Sequence, residues 1–328
     1  MNKLIIVLII IFTPLSYAEN DVDFFGVTLE NDFFFNDDGL YTNGLIATWG
    51  YDDVERLDEQ ALPDWLAYLA QKSYLNKQQD KRYAITYTVA QLIQTAIDDS
   101  VEELIAEDSP YVGMLAWEGQ LTAYDHLTLD RLTLILGMVG PVASAEFTQT
   151  AVHNVVDARD TRGWGNQIGN EAVFRVQADR LWRIYDKTLG NTEFDVVSGV
   201  NAGIGNFRSD IGAGVGLRWG QELQNSFLSA SAFPIQKLNR PQHSPNGWYF
   251  FVNSAAFYVA NDIFMNGNTF QDSHSVSLIH QQFSISTGFM VNLYHWSIVY
   301  TLFQQSAQYQ GQNEASRYGS ITVSYNFD

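Results

Sequence analysis

The chain of 328 residues contains no cysteine, which excludes disulfides, a thiolate nucleophile and a cysteine-ligated zinc site. Basic residues are also scarce. There are 18 Lys and Arg against 37 Asp and Glu, and the formal net charge is −19. Binding to nucleic acid needs clustered positive charge against the phosphates, so we expect no nucleic-acid partner.

Beyond its N-terminus, the sequence has no apolar run of ~20 residues, the length that a helix needs to cross a bilayer. Helical membrane spans are therefore excluded from that part of the chain. The N-terminus has the organisation of a secretory signal, with Asn2-Lys3, an apolar run from Leu4 to Phe12, and the small-x-small motif Ser16-Tyr17-Ala18. A permanent membrane anchor is the alternative, but the run is too short to span. We predict that residues 1–18 are a signal peptide and that the mature chain is residues 19–328.

Alternation of apolar and polar residues with a period of two dominates the rest of the sequence, and this period is the signal of a β-strand. In residues 211–220, Ile211, Val215 and Trp219 belong to an apolar set that alternates with four glycines and Arg218. The pattern predicts about twelve strands, at Phe24–Asn31, Tyr41–Tyr51, Tyr83–Leu92, Met114–Tyr124, Arg131–Met138, Val173–Trp182, Phe194–Gly205, Ile211–Gly220, Trp248–Val259, Val276–Val291, Trp296–Ser306 and Tyr318–Phe327.

A soluble β-sandwich and a membrane barrel both contain alternating strands, and three features favour the barrel. The strands often run for ~10 residues, which crosses an outer membrane at a tilt. The last strand alternates to Tyr325 and Phe327, like the assembly signal of outer-membrane barrels, although Asp328 follows. Aromatic residues also fall near the predicted strand ends, as interfacial girdles require: Trp49, Tyr51, Tyr124, Trp182, Trp219, Trp248 and Trp296. We therefore predict an all-β, antiparallel transmembrane β-barrel of about 12 strands in a Gram-negative outer membrane.

Closure of an antiparallel sheet puts the connections after the first, third and fifth strands on one side of the membrane. These connections are predicted at Asp32–Leu40, Ile93–Pro110 and Gly140–Glu171. With a periplasmic N-terminus, they face the outside of the cell. The third connection has the pattern of a helix from about Ser144 to Val156, so we expect a helix in one extracellular loop.

The first of these connections is rich in oxygen ligands. It begins with Glu30-Asn31-Asp32, and the next strand opens with Tyr41-Thr42-Asn43-Gly44. Alternation predicts that Asp32 and Thr42 face the lumen and that Asn31 faces the other way. Carboxylate and amide oxygens suit a hard cation such as Ca²⁺, although the spacing is not that of an EF-hand. A solvated polar turn is the alternative interpretation.

The helix in the third connection carries the candidate base. Gln149 and His153 are four residues apart, so they share one face of the helix. An imidazole that titrates near neutral pH could accept a proton from water as a general base. The alternative is a surface histidine that packs on the rim, and no serine nucleophile with a strand-turn-helix elbow is visible.

Taken in order, these motifs resemble those of a known family. They are Glu30-Asn31-Asp32, Asp38-x-x-Tyr41-Thr42-Asn43-Gly44, Pro110-Tyr111-x-Gly113, and Gly140-Pro141 with Gln149-x-x-x-His153. Over the whole mature chain, the sequence is similar to the outer-membrane lipid A 3′-O-deacylases, twelve-stranded barrels that hydrolyse acyl esters with calcium.

The resemblance implies a role for each matching residue. His153 corresponds to the histidine that activates water, and Asn31, Asp32, Thr42 and Gln149 correspond to polar residues around the metal and the scissile ester. The implied metal ligands are Asp32 and Asn31, and the bound Ca²⁺ stabilises the oxyanion. The implied substrate is lipid A of lipopolysaccharide, in contact with outer-membrane lipids, and we expect a monomer.

The sequence departs from the family pattern in several places. Ser109 and Val112 stand where the family often has Arg and Ala, and Gln94-Thr95-Ala96 replaces a common Tyr-Thr-Pro. An acidic stretch at residues 98–108 is interpreted as a solvated loop rather than a second metal site. Two other functions stay open at this stage. One is a calcium-dependent outer-membrane phospholipase, and the other is a non-catalytic channel or scaffold that binds divalent ions.

Overall fold

The structure is a computed structural model that describes residues 22–32, 40–55, 57, 62–78, 80–156, 161–234 and 246–327, without the side chains of residues 40–42 and 155–156. The predicted signal peptide and its cleavage site lie outside the described residues. Within those ranges, no helix combines the length and the apolar character needed to cross a membrane.

Twelve antiparallel strands form one closed barrel in which sequential strands are neighbours and β1 pairs with β12. The pairing runs from Phe24↔Asn326 to Asn31↔Gly319, so the first and last strands close the sheet along the whole of β1. The strands are β1 (Phe24–Asn31), β2 (Leu40–Val54), β3 (Arg82–Thr95), β4 (Val112–Tyr124), β5 (Thr128–Val139), β6 (Glu171–Leu189), β7 (Thr192–Ile204), β8 (Arg208–Gly220), β9 (Asn246–Asp262), β10 (Gln281–Leu293), β11 (Trp296–Gln305) and β12 (Ser316–Asn326).

Within the described residues, the connections contain three α-helices: α1 (Asp64–Lys72), α2 (Ala145–Val156) and α3 (Ile263–Asn266). We call the end of the barrel that carries both chain termini the lower end, and the opposite end the upper end. The predicted twelve-stranded barrel is confirmed, as is the helix after the fifth strand. The predicted start of the tenth strand at Val276 is wrong. Val276 instead donates its backbone N–H to Met265 in the loop before β10, and its apolar side chain is buried there, which explains the false strand signal.

The two faces of each strand follow the alternation that the sequence predicts. In β8, Ile211, Val215 and Leu217 are exposed on the outer wall. Asp210 and Arg218, on the other face, are buried in the lumen. Apolar side chains therefore face lipid, while the inner face carries polar groups and glycines.

The lumen is occupied by a segment of the chain itself, residues 223–233 of the connection between β8 and β9, which enters from the lower end. Inward-facing arginines of β5, β6 and β8 donate hydrogen bonds to its carbonyl oxygens. The pairs are Arg131 Nη2 to Leu228 (3.2 Å) and Ala230 (3.0 Å), Arg183 Nη2 to Leu223 (2.8 Å), and Arg218 Nη1 to Ser226 (3.0 Å). We call residues 223–233 the lumen segment.

The glycines on the inner face of β8 make room for this segment. A Cβ atom at Gly214 would collide with the carbonyl oxygen of Ala232, and one at Gly216 would collide with that of Ser231. At the upper end, α3 packs Ile263, Phe264 and Met265 into the same buried cluster as the lumen segment. The described part of the barrel is therefore filled, and the small inward residues accommodate packing rather than an open pore.

All seven aromatic residues predicted near strand ends lie toward the lower end of their strands. Trp219 and Trp248 contact each other edge-to-face at 5.3 Å, and Trp219 stacks on Phe250. Trp296 contacts Tyr325 of the last strand at 4.9 Å. Tyr124 pairs with the inward-facing Leu129 and packs against the lumen cluster. The other six form a belt around the lower part of the wall, as expected where a barrel meets a lipid headgroup region.

Replacing Gly214 with valine is expected to destabilise the barrel by about 1–3 kcal/mol, because the new side chain overpacks the lumen segment. The control is Ala213→Val, which introduces the same side chain at the neighbouring, lipid-facing position. The measurement is the thermal or urea midpoint of the refolded barrel in detergent, followed by its electrophoretic heat modifiability. Equal midpoints for the two variants would show that the lumen segment does not rest against β8.

Candidate functional site

Helix α2 lies on the outer wall of the barrel, near the upper rim. Its first residue, Ala145, packs so closely on Gly113 of β4 that a Cβ atom at residue 113 would collide with the Ala145 side chain. Gly113 faces outward, in phase with the exposed Leu115 two residues later. The side chain of Gln91, also on the outer face, donates to the carbonyl of Ala143 at 2.6 Å just before the helix.

The strand register defines which wall residues lie at the height of α2. Asn31 of β1 pairs with Asn43 of β2, Asn43 pairs with Ile93 of β3, and Ile93 pairs with Gly113 of β4. Paired residues share a face of the sheet, so these four form one outward-facing row. Two asparagines on an outer wall are unusual, because a lipid-facing surface favours apolar side chains. Since α2 contacts β4 and β3, the polar half of the row lies beside the helix on the side of β2 and β1.

A small buried cluster fixes α2 against the wall. Ile93, Tyr111, Ala145 and Trp164 are all buried together, and the rings of Tyr111 and Trp164 meet edge-to-face at 5.3 Å. Burial, with a smaller contribution from the nearby negative charge of Asp99, raises the pKa of Tyr111 to about 12. The phenol therefore stays neutral at any pH at which the protein works.

Gln149 is held in a defined orientation within this cluster. The indole N–H of Trp164 donates to Gln149 Oε1 at 2.8 Å, and the side chain is 1% exposed. Because an indole nitrogen can only donate, Oε1 must be the amide atom that it meets. The remaining amide nitrogen, Nε2, is buried and has no partner among the described residues. The site thus contains a pre-oriented N–H donor that the described protein leaves unused.

His153 lies on the same stripe of α2. Ala145, Gln149 and His153 are spaced by four residues, and their burial falls from fully buried at the first two to half-buried at His153. The stripe faces the wall at Ala145, so His153 is carried along the wall side of the helix and keeps a partly open imidazole. The sequence prediction that Gln149 and His153 share a face is confirmed by the helix bounds.

Asp32 and Asn31 stand at the upper end of β1 on opposite faces. Asn31 is half-buried in the outward row, whereas Asp32 is buried, with 7% exposed, in phase with Thr28 and Glu30 on the inner face. This agrees with the predicted alternation. The side chain of Thr42 lies outside the described residues. Its backbone is at a bulge, because Tyr41 pairs with Gln94 and Asn43 with the adjacent Ile93, so alternation does not predict the direction of Thr42.

The donor types near the rim fit a hard cation, but the described residues hold only part of a ligand set. Asp32 offers a carboxylate and Asn31 an amide oxygen, the groups that Ca²⁺ prefers. No cluster of three or more acidic or histidine side chains forms within the described ranges. The other oxygen-rich residues of this connection, Asn36, Asp37 and Asp38, lie outside them. These donor types suit Ca²⁺, and the calcium site stays a prediction.

The acidic stretch at residues 98–108 is only partly a solvated loop. Glu102, Glu103 and Glu107 are exposed, as predicted. Asp108 is buried instead and organises the loop, because its carboxylate accepts hydrogen bonds from the backbone N–H groups of Ile97 (3.1 Å), Asp98 (3.0 Å) and Ser109 (2.7 Å). The phenol of Tyr309 donates to the same carboxylate at 3.1 Å.

Comparison with known proteins identifies the family. The model of the family described as "Outer membrane protein LpxR" matches residues 4–327. The chain belongs to the LpxR family. Among solved structures, it is similar to LpxR from Salmonella typhimurium, with a TM-score of 0.77, 14% identity, and coverage of 93% of this chain and 100% of that chain.

Two autotransporter barrels are also similar, at lower scores. The β domain of BrkA from Bordetella has a TM-score of 0.44 and 7% identity, covering 93% of this chain and 98% of that one. The translocator domain of NalP from Neisseria meningitidis has a TM-score of 0.42 and 8% identity, covering 93% and 88%. In a comparison with curated proteins, none matched this chain by sequence.

The match confirms the family that the motifs indicate, the outer-membrane location and the barrel fold. Two residues that help to build the candidate site had no assigned role in the sequence analysis. Trp164 orients Gln149, and Asn43 continues the outward polar row. In the sequence, Trp164 is marked only by the glycine before it in a loop, which is a weak signal of a site residue. Asn43 could have been found from the alternation of β2, as a polar residue on the outward face.

Replacing Trp164 with phenylalanine is expected to loosen α2, because Gln149 Oε1 would lose its donor in a buried site at a cost of about 1–3 kcal/mol. The measurement is amide hydrogen exchange in residues 145–156, which should be faster in the variant. Thr150→Ala, on the exposed side of the same helix, is the control. Unchanged protection of α2 in the Trp164 variant would mean that the indole does not hold the helix.

Proposed function

We propose that this LpxR-family protein is a lipid A deacylase that removes a 3′-linked acyloxyacyl group by ester hydrolysis in the outer leaflet. The observation that carries the proposal is the packing of α2 against the outer wall. On the side of the helix that faces the wall, the amide nitrogen of Gln149 has no partner among the described residues and the imidazole of His153 is half-buried. A substrate with acyl chains can reach that surface without leaving the bilayer.

In the proposed reaction, His153 is the general base. It accepts a proton from water as the water oxygen bonds to the ester carbonyl carbon, and the bond from that carbon to the sugar oxygen then breaks. The departing oxygen takes up a proton, so the products are a carboxylic acid and an alcohol. A positioned base of this kind contributes typically ~10²–10⁴-fold to the rate.

Gln149 is assigned the role of an N–H donor to the substrate. Its Oε1 is committed to Trp164, so Nε2 is the atom that is left to donate. A donor fixed in advance near a carbonyl oxygen stabilises the charge that develops there, because no reorganisation is needed during the reaction. Asn31 and Thr42 are proposed to complete the polar surroundings of the ester.

Calcium dependence is part of the proposal. Asp32, with Asn31, would hold the ion at the upper rim, where β1 ends and the two side chains are no longer separated by the wall. When bound, the ion would supply positive charge that polarises the ester carbonyl. No serine nucleophile is required by this chemistry. In the described residues, the filled lumen and the segment 223–233 argue against a conducting channel as the alternative. A phospholipase would use the same groups, and only the substrate tells the two apart.

The decisive experiment expresses the protein in a bacterium with known lipid A and records lipid A mass spectra. We expect loss of a 3′-linked acyloxyacyl group, and about a 10²–10⁴-fold slower loss in His153→Ala. The matched control is His126→Ala, in the turn between β4 and β5 at the lower end of the barrel, which should behave as wild type. Release of lysophospholipid with intact lipid A would instead identify a phospholipase.

Asp32→Asn is expected to raise the calcium concentration for half-maximal activity by about tenfold or more, because one carboxylate charge is removed from a hard-cation site. Activity of the purified protein in mixed micelles is titrated with calcium after chelation. Asp272→Asn, exposed in the connection between β9 and β10, is the control. Full turnover of Asp32→Asn at low calcium would remove Asp32 from the metal site.

A further inference from the structure

The described part of the connection between β2 and β3 that carries α1, residues 62–78, lies on the outside of the barrel at its lower end. Helix α1 buries Leu66, Ala67 and Ala70 against outward residues of β3 and β4, in one cluster with Tyr83, Ile85, Tyr87, Leu121 and Ala123. Trp65 of the helix contacts Trp117 of the wall at 6.0 Å. The helix therefore covers the part of the wall where the lower aromatic belt would otherwise meet lipid.

The covered wall residues are themselves aromatic. Trp49 of β2 is the register partner of Tyr87 of β3, and Trp117 of β4 lies two residues from the partner of Tyr87, Gly119. The ring of Tyr87 lies 5.9 Å from that of Trp49 and 6.0 Å from that of Trp117. On strands that no helix covers, the corresponding aromatics are open: Trp219 is 44% exposed and Trp296 is 42% exposed. On β2 to β4, the wall aromatics are therefore covered, and aromatic side chains reach the surroundings there only if α1 supplies them.

The outer face of the segment supplies such a continuation. Trp65, Tyr68, Leu69 and Tyr74 are all between 44% and 62% exposed. At 100° per residue, Tyr68, Trp65 and Leu69 form one sector of α1, next to the buried sector. Lys72, the last residue of the helix, lies in the middle of the same sector. Gln71 and Asp64 form the third sector, so Leu69 and Gln71 lie about 160° apart around the axis. The helix therefore has one side for the wall, one with large apolar side chains and a terminal lysine, and one for water.

The charge of this segment is opposite to that of the chain as a whole. Residues 62–81 contain three basic side chains and two acidic ones, in a protein with a net charge of −19. Lys72 and Lys77 are exposed, and the ammonium of Lys72 lies over the ring of Tyr68 at 5.8 Å from its centre. Aromatic rings beside lysines are typical of groups at a headgroup boundary, where the stem is buried and the charge stays in water.

An ion pair between Lys81 and Asp130 of β5 ties the end of this connection to the outer face of the wall. Asp130 of β5 accepts from Lys81 Nζ at 2.9 Å and from Arg180 of β6, at 2.7 Å from Nε and 2.9 Å from Nη2. Asp130 is almost completely buried, although its strand position faces outward. A carboxylate without a partner on a lipid-facing wall would be costly. The ion pairs with Lys81 and Arg180 therefore stabilise Asp130, and the pair with Lys81 also holds the end of the connection in place.

We propose that residues 62–78 form an interfacial lipid-binding collar, in which α1 lies in the plane of the periplasmic leaflet, and Lys72 of α1 and Lys77 after it contact anionic phospholipid headgroups. The collar is continuous with the lipid-facing belt of a confirmed outer-membrane barrel. It lies at the end that carries both termini, the periplasmic end in the expected topology. Its function would be to fix the depth of the barrel on the side where α1 replaces wall aromatics.

The absence of cysteine allows a clean test by site-directed spin labelling. Leu69→Cys and Gln71→Cys are each labelled in the full chain, refolded in vesicles of phosphatidylethanolamine and phosphatidylglycerol. We expect the label at residue 69 to collide with oxygen and to be shielded from a water-soluble nickel chelate. The label at residue 71 should show the reverse. Each variant is first checked for heat-modifiable folding, which the exposed positions should not disturb.

Equal nickel accessibility at residues 69 and 71 would overturn the proposal, because the apolar sector would then face water. Spin–spin broadening at residue 69 that disappears on dilution with unlabelled protein would overturn it as well, since a second copy would cover the face. For the charged part, spin-labelled phosphatidylglycerol should associate more strongly than phosphatidylcholine. This preference should fall in Lys72→Gln/Lys77→Gln relative to the exposed-site control Gln71→Ala, and an unchanged preference would remove the lysines from lipid binding.

Discussion

The pairing of β1 with β12 is the constraint on which the rest of the molecule depends. Inside hydrocarbon, every backbone N–H and C=O must find a partner within the protein, so a sheet with two free edges could not remain there. Continuous register along β1 satisfies both edges at once. Closure also fixes the alternation of faces around the ring, and therefore decides that Asn31 and Gly113 face outward while Asp32 faces inward.

Much of this architecture is readable from the sequence, because one face of each strand meets lipid and the other a packed interior. That contrast produces clean alternation in β7 and β8, where the predicted and observed bounds almost coincide. The pattern misled where burial has another cause. Val276 and Leu278 are apolar because they cover the upper end of the lumen in a loop, and a run of buried residues in a loop resembles a strand.

The candidate site was predicted in part for the same reason. Gln149 and His153 sit on a helix, whose period is regular, so their shared face follows from spacing alone. Trp164 reaches Gln149 from fifteen residues away across a loop, and no local pattern encodes such a contact. The lumen segment was also beyond local reasoning. Glycines on an inner face suit either a pore or a close backbone, and only the path of residues 223–233 distinguishes them.

The position of α2 outside the barrel has a kinetic consequence. If the proposed function holds, a lipid substrate reaches the wall beside this helix by diffusion within the leaflet, in two dimensions, rather than from solution. The relevant concentration is then a mole fraction in the membrane, and encounters depend on the fluidity and crowding of that leaflet. The rate of such a reaction would depend on the lipid composition of the leaflet, and not simply on the total amount of substrate in the cell.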